Sequence, residues 1–364
     1  MQETRNRSPQ QTVLAMIGVY LVVHVLIVAK NLLIPLVLAF FFWFLITSLR
    51  YALEQLRFGT WQMSRRLAFA LALGLIVLCG VFLGQMISDN VSQVARAAPD
   101  YQINVEKRFA DLTASSEASW VDELNRQLGK IDLADLIGRS ALTLTNMLGD
   151  AGLISVYLLF LFVEEKFFDR KLDAMFRDPQ RCLEVRALLD RIGRDTRAYI
   201  GLKTAVSVMT ALPSYAIMAW VGLDYAEFWA VLIFVFNFIP NIGSLTATLL
   251  PSLLALVQFD GWRPFVIVSV GVMSAQLLVA NLIEPRLMAR SLNLSPLVII
   301  LSLVVWGSIW GIAGMFLCVP LMVVLMIVLS HFPQTRPIAV LLSEDGSVRE
   351  TIEPTVEIRA VETS

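Results

Sequence analysis

Eight apolar runs, at 13–29, 32–49, 67–87, 151–163, 204–221, 228–258, 265–283 and 297–330, restrict what this chain can fold into. A helix needs roughly 20 apolar residues to cross the hydrocarbon of a bilayer, and fewer where the bilayer thins. Blocks of this length have no place in a soluble core. Composition agrees: 57% of the residues are hydrophobic and 16% charged, against about 45–50% and 25% in soluble domains. The expected fold is an all-α polytopic membrane protein with about eight membrane segments. Lys30 and Asn31 alone part the first two runs, so these are expected to form a tight hairpin. Arg5 and Arg7 precede the first run but no small-residue cleavage site follows it, which predicts an uncleaved first span. The short run at 151–163 is expected to continue helically into the sequence EEKFFDRKL.

Basic residues orient the spans. Segment 50–66 holds Arg50, Arg57, Arg65 and Arg66 against Glu54, and 165–203 holds ten Lys/Arg against seven Asp/Glu. Segment 88–150 is net acidic, with six Lys/Arg and ten Asp/Glu. The excess of Lys/Arg marks cytoplasmic loops, which places both termini in the cytoplasm and 88–150 outside.

Following the spans onward gives a contradiction that only a reversal resolves. Run 204–221 exits outward, and 265–283 must return inward because Arg286 and Arg290 follow it. The run 228–258 therefore starts and ends on one side. Its 31 residues exceed one crossing, and Asn237, Pro240, Asn241 and Gly243 sit near its middle. The 34-residue run 297–330 is likewise interrupted by WGSIWGIAG, with Gly307, Gly311 and Gly314. Two opposed re-entrant, broken hairpins fit both runs. Non-helical backbone at membrane depth must be buried in protein or line a wet cavity, and transporters place substrate between such broken helices. Plain kinks and close-packing points are the competing reading for the same residues.

Outside the spans, 91–150 reads as an external amphipathic helical region. The stretch 181–200 reads as a cytoplasmic amphipathic helix lying along the inner leaflet and leading into the span at 204. The polar segment 331–364 is expected to dock in part on the cytoplasmic face. These readings divide the chain into 1–87, three N-terminal spans; 88–150, the external region; 151–203, a span plus amphipathic helix; 204–330, a transport core; and 331–364, a tail.

The chemistry is thin. No P-loop, HExxH or Ser/His or Cys/His dyad is present, so no enzyme is expected. Cys79, Cys182 and Cys318 are scattered, and His24 and His331 are the only histidines; no metal site or cofactor is expected. The net charge of −1 implies no affinity for nucleic acid. Polar groups at membrane depth are costly unless paired or wetted. Asn237 and Asn241 could coordinate an ion or a hydroxylated solute, or simply cap the broken helix. Gln276, Ala280 and Glu284 recur every four residues and are expected to share one polar stripe with Asn281 and Pro285 nearby. Glu284 is the candidate coupling group; an interfacial ion pair with Arg286 or Arg290 is its alternative. The three glycines of the second break serve substrate access or helix packing.

The ladder FNFIPNIGSL, then NLIEPR, SLNLSPL and WGSIWGIAG resembles the autoinducer-2 exporter family. The matching positions are Phe238, Pro240, Gly243, Asn281, Ile283, Pro285, Ser291, Pro296, Leu297, Trp306, Gly307, Trp310, Gly311, Gly314 and Pro320. The resemblance implies a permease of the bacterial inner membrane and a homo-oligomer, with a pentamer one candidate. It implies export of autoinducer-2 or another small hydrophilic solute, or else antiport of a monovalent cation such as sodium against protons. A passive channel is the alternative from another class.

Overall fold

The computed structural model describes residues 9–55, 57–58, 61–86, 150–288 and 293–347. The expected external region falls outside these except for Asp150, as do the last residues of the tail. Helices form wherever the apolar runs lie: α1 Pro9–Val28, α2 Lys30–Gln55, α3 Arg65–Met86, α4 Ala151–Met175 and α5 Pro179–Val221. They continue with α6 Ala226–Phe236, α7 Ile242–Gln258, α8 Trp262–Leu278, a π-helical turn Val279–Ile283, α9 Glu284–Met288, α10 Pro296–His331 and α11 Arg336–Leu342. A two-residue antiparallel pairing, β1 Arg57–Phe58 with β2 Trp61–Gln62, is the extended structure among the described residues.

Among the described residues five helices, Lys30–Gln55, Arg65–Met86, Pro179–Val221, Trp262–Leu287 and Pro296–His331, are long and apolar enough to cross a membrane. Met16–Val28, Ala226–Phe236 and Ile242–Gln258 are shorter apolar helices. The protein is all-α and polytopic.

Helix α5 is the centre of the bundle, packed against α2, α6, α8 and α10. It begins at an Asp178 cap, whose side chain accepts from the Gln180 N–H at 3.0 Å, with Pro179 in its first turn. Such a start is favoured because proline has no N–H to leave unsatisfied there. It ends at Gly222 (φ 79°), where the Leu223 N–H donates back to the Met218 carbonyl at 2.9 Å; only glycine takes this left-handed position without a Cβ clash. Amphipathic stretch and span are thus one helix of 43 residues, about 65 Å long at 1.5 Å per residue. The amphipathic part is a rigid extension of the span, not the separate helix along the leaflet that the sequence predicts.

Two further expectations need correction. The first two runs do not fold into a tight hairpin. Ala29 keeps helical hydrogen bonds on both sides, to the Val25 carbonyl and from the Leu33 N–H, both at 2.9 Å, so the helices join end to end. Two residues supply too little chain to leave the helical path. Most of α1 therefore stays outside the bundle, with Leu14, Val19, Tyr20 and Val28 exposed. The second correction concerns the stripe after Gln276. The π turn at Val279–Ile283, marked by the Glu284 N–H donating to the Val279 carbonyl, interrupts it. A π turn holds an extra residue, which displaces later side chains by about 100° around the axis. Gln276 is buried, whereas Ala280 and Asn281 are exposed.

The first part of the tail packs on the ends of α10. Helix α11 packs on α10, and the Ser295 N–H donates to the Leu342 carbonyl at 3.0 Å. Asn293 clasps the following turn, donating to Asp345 Oδ1 and the Ser347 carbonyl at 2.6 Å each and accepting from the Glu344 N–H at 3.2 Å.

Candidate functional site

The two interrupted runs both reverse direction. In the first, α6 ends at Phe236 and the chain turns through Asn237–Asn241 before α7 begins. Asn241 has φ 60° and ψ −55°, and the Ile242 N–H donates to the Pro240 carbonyl at 2.6 Å. These values describe the strained form of a γ-turn centred on Asn241. Gly243 then passes so close to the Phe236 carbonyl that a Cβ would overlap it. In the second, Gly311 (φ 63°, ψ −141°) breaks α10 in a conformation suited to glycine. Three residues on, a Cβ on Gly314 would overlap the Trp306 carbonyl. In a continuous helix residues eight apart lie ~12 Å apart along the axis, so this contact requires the chain to fold back. Gly307 accordingly faces Met315 on the other leg.

The tips of the two reversals meet. Phe238 and Phe316 lie 4.9 Å apart between ring centroids, and Phe41 of α2 packs edge-on against both, at 5.7 and 5.0 Å. Phe41 and Phe238 are buried. Trp310, at the second tip, donates its indole N–H to the Leu26 carbonyl at 3.0 Å. Leu26 lies in the last turn of α1, where carbonyls have no helical partner, so the tip is pinned by an otherwise orphaned acceptor.

Behind this aromatic cluster runs a polar stripe. Thr196, Tyr199, Lys203, Ser207, Thr210 and Ser214 recur every three or four residues along α5 and are all buried. Burying such groups is costly without partners. The Thr210 and Ser214 hydroxyls donate to the Val206 and Thr210 carbonyls one turn back, at 3.0 and 2.8 Å. Asn237 donates from Nδ2 to Ser207 Oγ at 3.1 Å, tying the first reversal to the stripe. Lys203 Nζ lies 2.6 Å from Glu284 Oε1, with side-chain exposures of 10% and 22%. A second polar contact is Gln276 Nε2 donating to Thr248 Oγ1 at 2.8 Å, both residues buried.

The residues singled out in the sequence therefore sort into three groups. Asn237, Pro240, Asn241 and Gly243 build the first reversal; Gly307, Gly311 and Gly314 build the second; Phe238 joins the two through Phe316, which the sequence did not single out. Glu284 reaches the stripe through Lys203 rather than pairing with Arg286. Gln276 serves the α7–α8 contact. Asn281 donates to the Leu277 carbonyl at 2.9 Å within the π turn, a local role beside the exposed Pro285. Sequence reasoning missed Lys203, the α5 hydroxyls and Phe41. The hydroxyls could have been found by plotting polar residues at helical spacing through the span from 204. No group of three or more His, Cys, Asp or Glu residues that could hold a metal occurs among the described residues.

Broken helices buried at the centre of a multi-spanning bundle, meeting over a polar stripe, define a membrane transport protein rather than a receptor anchor or an intramembrane enzyme. Sequence comparison makes the assignment specific: residues 12–334 match the AI-2E family transporter family, and the chain belongs to that family. It is 29% identical over 320 residues to the AI-2 transport protein TqsA of Escherichia coli K12, covering 87% of this chain and 90% of that protein. A putative transport protein of Haemophilus influenzae is 26% identical over 346 residues, covering 93% and 98%. One of Borreliella burgdorferi is 33% identical over 195 residues, covering 53% and 54%.

Proposed function

We propose that this transporter exports a small hydrophilic solute across the bacterial inner membrane by alternating access, with the solute passing between the two reversals and along the α5 stripe. The observation that carries the reading is the meeting of both hairpin tips at Phe41, Phe316 and Phe238, the last next in sequence to Asn237, which donates to Ser207 of the stripe. Polar backbone and side chains stacked behind an apolar seal are what a hydrated chamber needs when it opens, and what a plain helix bundle lacks. In this reading the reversals enter from opposite faces, the termini are cytoplasmic, and Glu284 is the coupling group. The division into N-terminal spans, transport core and tail follows the same reading.

The relative named for AI-2 transport supports autoinducer-2 as the solute to test first. Sodium/proton antiport is the second reading, favoured by the part-buried Lys203–Glu284 pair. A homo-oligomer belongs to the proposal as well; the apolar surface of α1 lying outside the bundle supports it. Proteoliposomes loaded with autoinducer-2 or with sodium, under an imposed proton gradient, test the reading. Gradient-dependent flux of one of them, lost in Asn237→Leu, is expected. Flux that ignores the gradient in wild type and in Glu284→Gln would instead identify a passive channel.

A further inference from the structure

At the edge of the bundle α2 and α5 cross at Ser48 and Gly201, where a Cβ on Gly201 would overlap the Ser48 hydroxyl. The absence of a side chain at Gly201 lets the two helices approach closely here. One to three turns beyond the crossing the two helices border a cavity of about 460 Å³ lined by Tyr51, Asp190, Arg194 and Arg197. The cavity lies just past the apolar run of α2, which ends at Leu49, and just before that of α5, which starts at Thr204. Tyr51 follows Leu49 by two residues and Arg197 precedes Thr204 by seven, about 3 and 10 Å along their helices, so the inner rim of the cavity borders both apolar runs.

The charges around the cavity do not balance. Arg50, itself 7% exposed, places its guanidinium 4.6 Å from the Tyr51 ring centroid, and Arg197 places its own 5.5 Å from the same centroid. Among the described residues no carboxylate lies within 4.0 Å of Arg194 or Arg197. Arg50 Nε is buried without a hydrogen bond, its nearest carboxylate oxygen being Glu54 Oε1 at 3.5 Å. Arg194 and Arg197 thus line the cavity against one carboxylate, Asp190, leaving one positive charge there, while Arg50 behind them is offset by Glu54. Guanidinium groups present donors matched to phosphate oxygens, and basic pockets between membrane helices at this depth suit anionic headgroups.

We propose that this cavity binds the phosphate monoanion of an anionic lipid headgroup, with Arg194 and Arg197 donating to its oxygens and Arg50 supplying charge from behind. One phosphodiester charge neutralises the surplus, and the acyl chains lie along the apolar runs of α2 and α5. The site stands apart from the solute path, so it holds or fails whatever the solute is. Its effect would be to moor α5, the helix carrying the polar stripe, at the leaflet surface.

The test uses the full chain in nanodiscs of phosphatidylglycerol or phosphatidylcholine, read by thermal melting and by native mass spectrometry of retained lipid. Wild type should melt higher and retain lipid in phosphatidylglycerol. R194Q/R197Q should weaken that retention about tenfold or more, the loss of charge-assisted hydrogen bonds. D190N, which removes a negative charge from the rim, should strengthen retention, a gain that misfolding cannot produce. Inorganic phosphate added to phosphatidylcholine nanodiscs should leave melting unchanged. Equal behaviour in the two lipids, or retention insensitive to both variants, overturns the site. A rise in melting with inorganic phosphate matching that with phosphatidylglycerol overturns the lipid source in favour of a soluble phosphate ligand.

Discussion

Replacing Lys203 and Glu284 by methionine, singly and together, separates the structural from the functional content of their contact. At 2.6 Å, two unit charges attract by about 6 kcal/mol for an effective dielectric constant of roughly 20. Side-chain exposures of 10% and 22% mean that both ions have also surrendered most of their hydration, at several kcal/mol each. The pair therefore contributes little net stability, yet either ion left alone is badly placed. Lys203→Met and Glu284→Met should each destabilise by about 3–5 kcal/mol, and the double variant should return to within about 1 kcal/mol of wild type. At about 2–4 °C per kcal/mol for a chain this large, the single variants melt at least 6 °C lower in nanodiscs. The double variant, folded and without ionisable groups at this point, should show flux that no longer responds to a proton gradient. Single variants that melt with wild type would refute the claim that the pair is desolvated. A double variant that keeps full gradient dependence would remove Glu284 from the coupling mechanism while leaving the packing argument intact.

Gly314→Ala should lower melting more than Gly311→Ala. At 314 the new methyl meets the Trp306 carbonyl, which is backbone, whereas at 311 there is open space and the cost is conformational, about 1–3 kcal/mol. Phe238→Ala or Phe316→Ala should raise gradient-independent leak in proteoliposomes by opening the joint between the reversals; unchanged leak would mean that the seal lies elsewhere. Asn293→Ala should raise hydrogen exchange across α11, because Asn293 holds the Glu344–Ser347 turn from both ends of its amide. The hydrogen bonds from Ser347 and Asn293 pull the Asp345 carboxyl down from 3.8 to about 2. A carboxyl depressed by folding stabilises above its unfolded value and loses that contribution as pH falls through the folded one. Protection of α11 amides, referred to the intrinsic exchange rate at each pH, should accordingly be flat above pH 4 and fall as pH falls towards about 2.

What could be read from the residues alone follows from how local the cause is. Proline and glycine act on their own backbone, so Pro240, Gly243 and Gly311 announced both breaks, whereas the basic cluster at 165–203 lies in helices α4 and α5 except for the turn at 176–178. The α5 stripe was hidden for a different reason. Serine and threonine in a membrane helix can satisfy themselves on the carbonyl a turn back, as Thr210 and Ser214 do, so their type carries no sign of a shared face. Lys203 read as one more loop cation because its partner lies 81 residues away. The π turn was invisible since VANLI is equally apolar in either helical form, and it moved Glu284 off the expected face and onto Lys203. Phe41 sits among Phe40, Phe42 and Phe44, and nothing local tells which ring meets the hairpin tips.

The seal and the strained tip oppose each other at comparable size. Three aromatic contacts among Phe41, Phe238 and Phe316 are worth about 0.5–1.5 kcal/mol each beyond simple burial, or roughly 1.5–4.5 kcal/mol together. Against them, Asn241 is held in a γ-turn conformation of a kind that costs about 1–3 kcal/mol and that a small movement of Pro240 relieves. On the proposed alternating-access reading these two terms are of similar size and oppose each other in the closed form, and a gap of a few kcal/mol is the range in which a minor state is populated at about 0.1–10%. Full conversion between two such states takes about 5.5 kcal/mol of differential binding, which a small polar solute can supply through a handful of hydrogen bonds to Asn237, Ser207 and the freed backbone groups. A chain closed by its long apolar helices alone would need far more. That is the physical reason to place the moving joint at the two tips, and to expect α5, packed closely against α2 at Gly201, to stay still while they part.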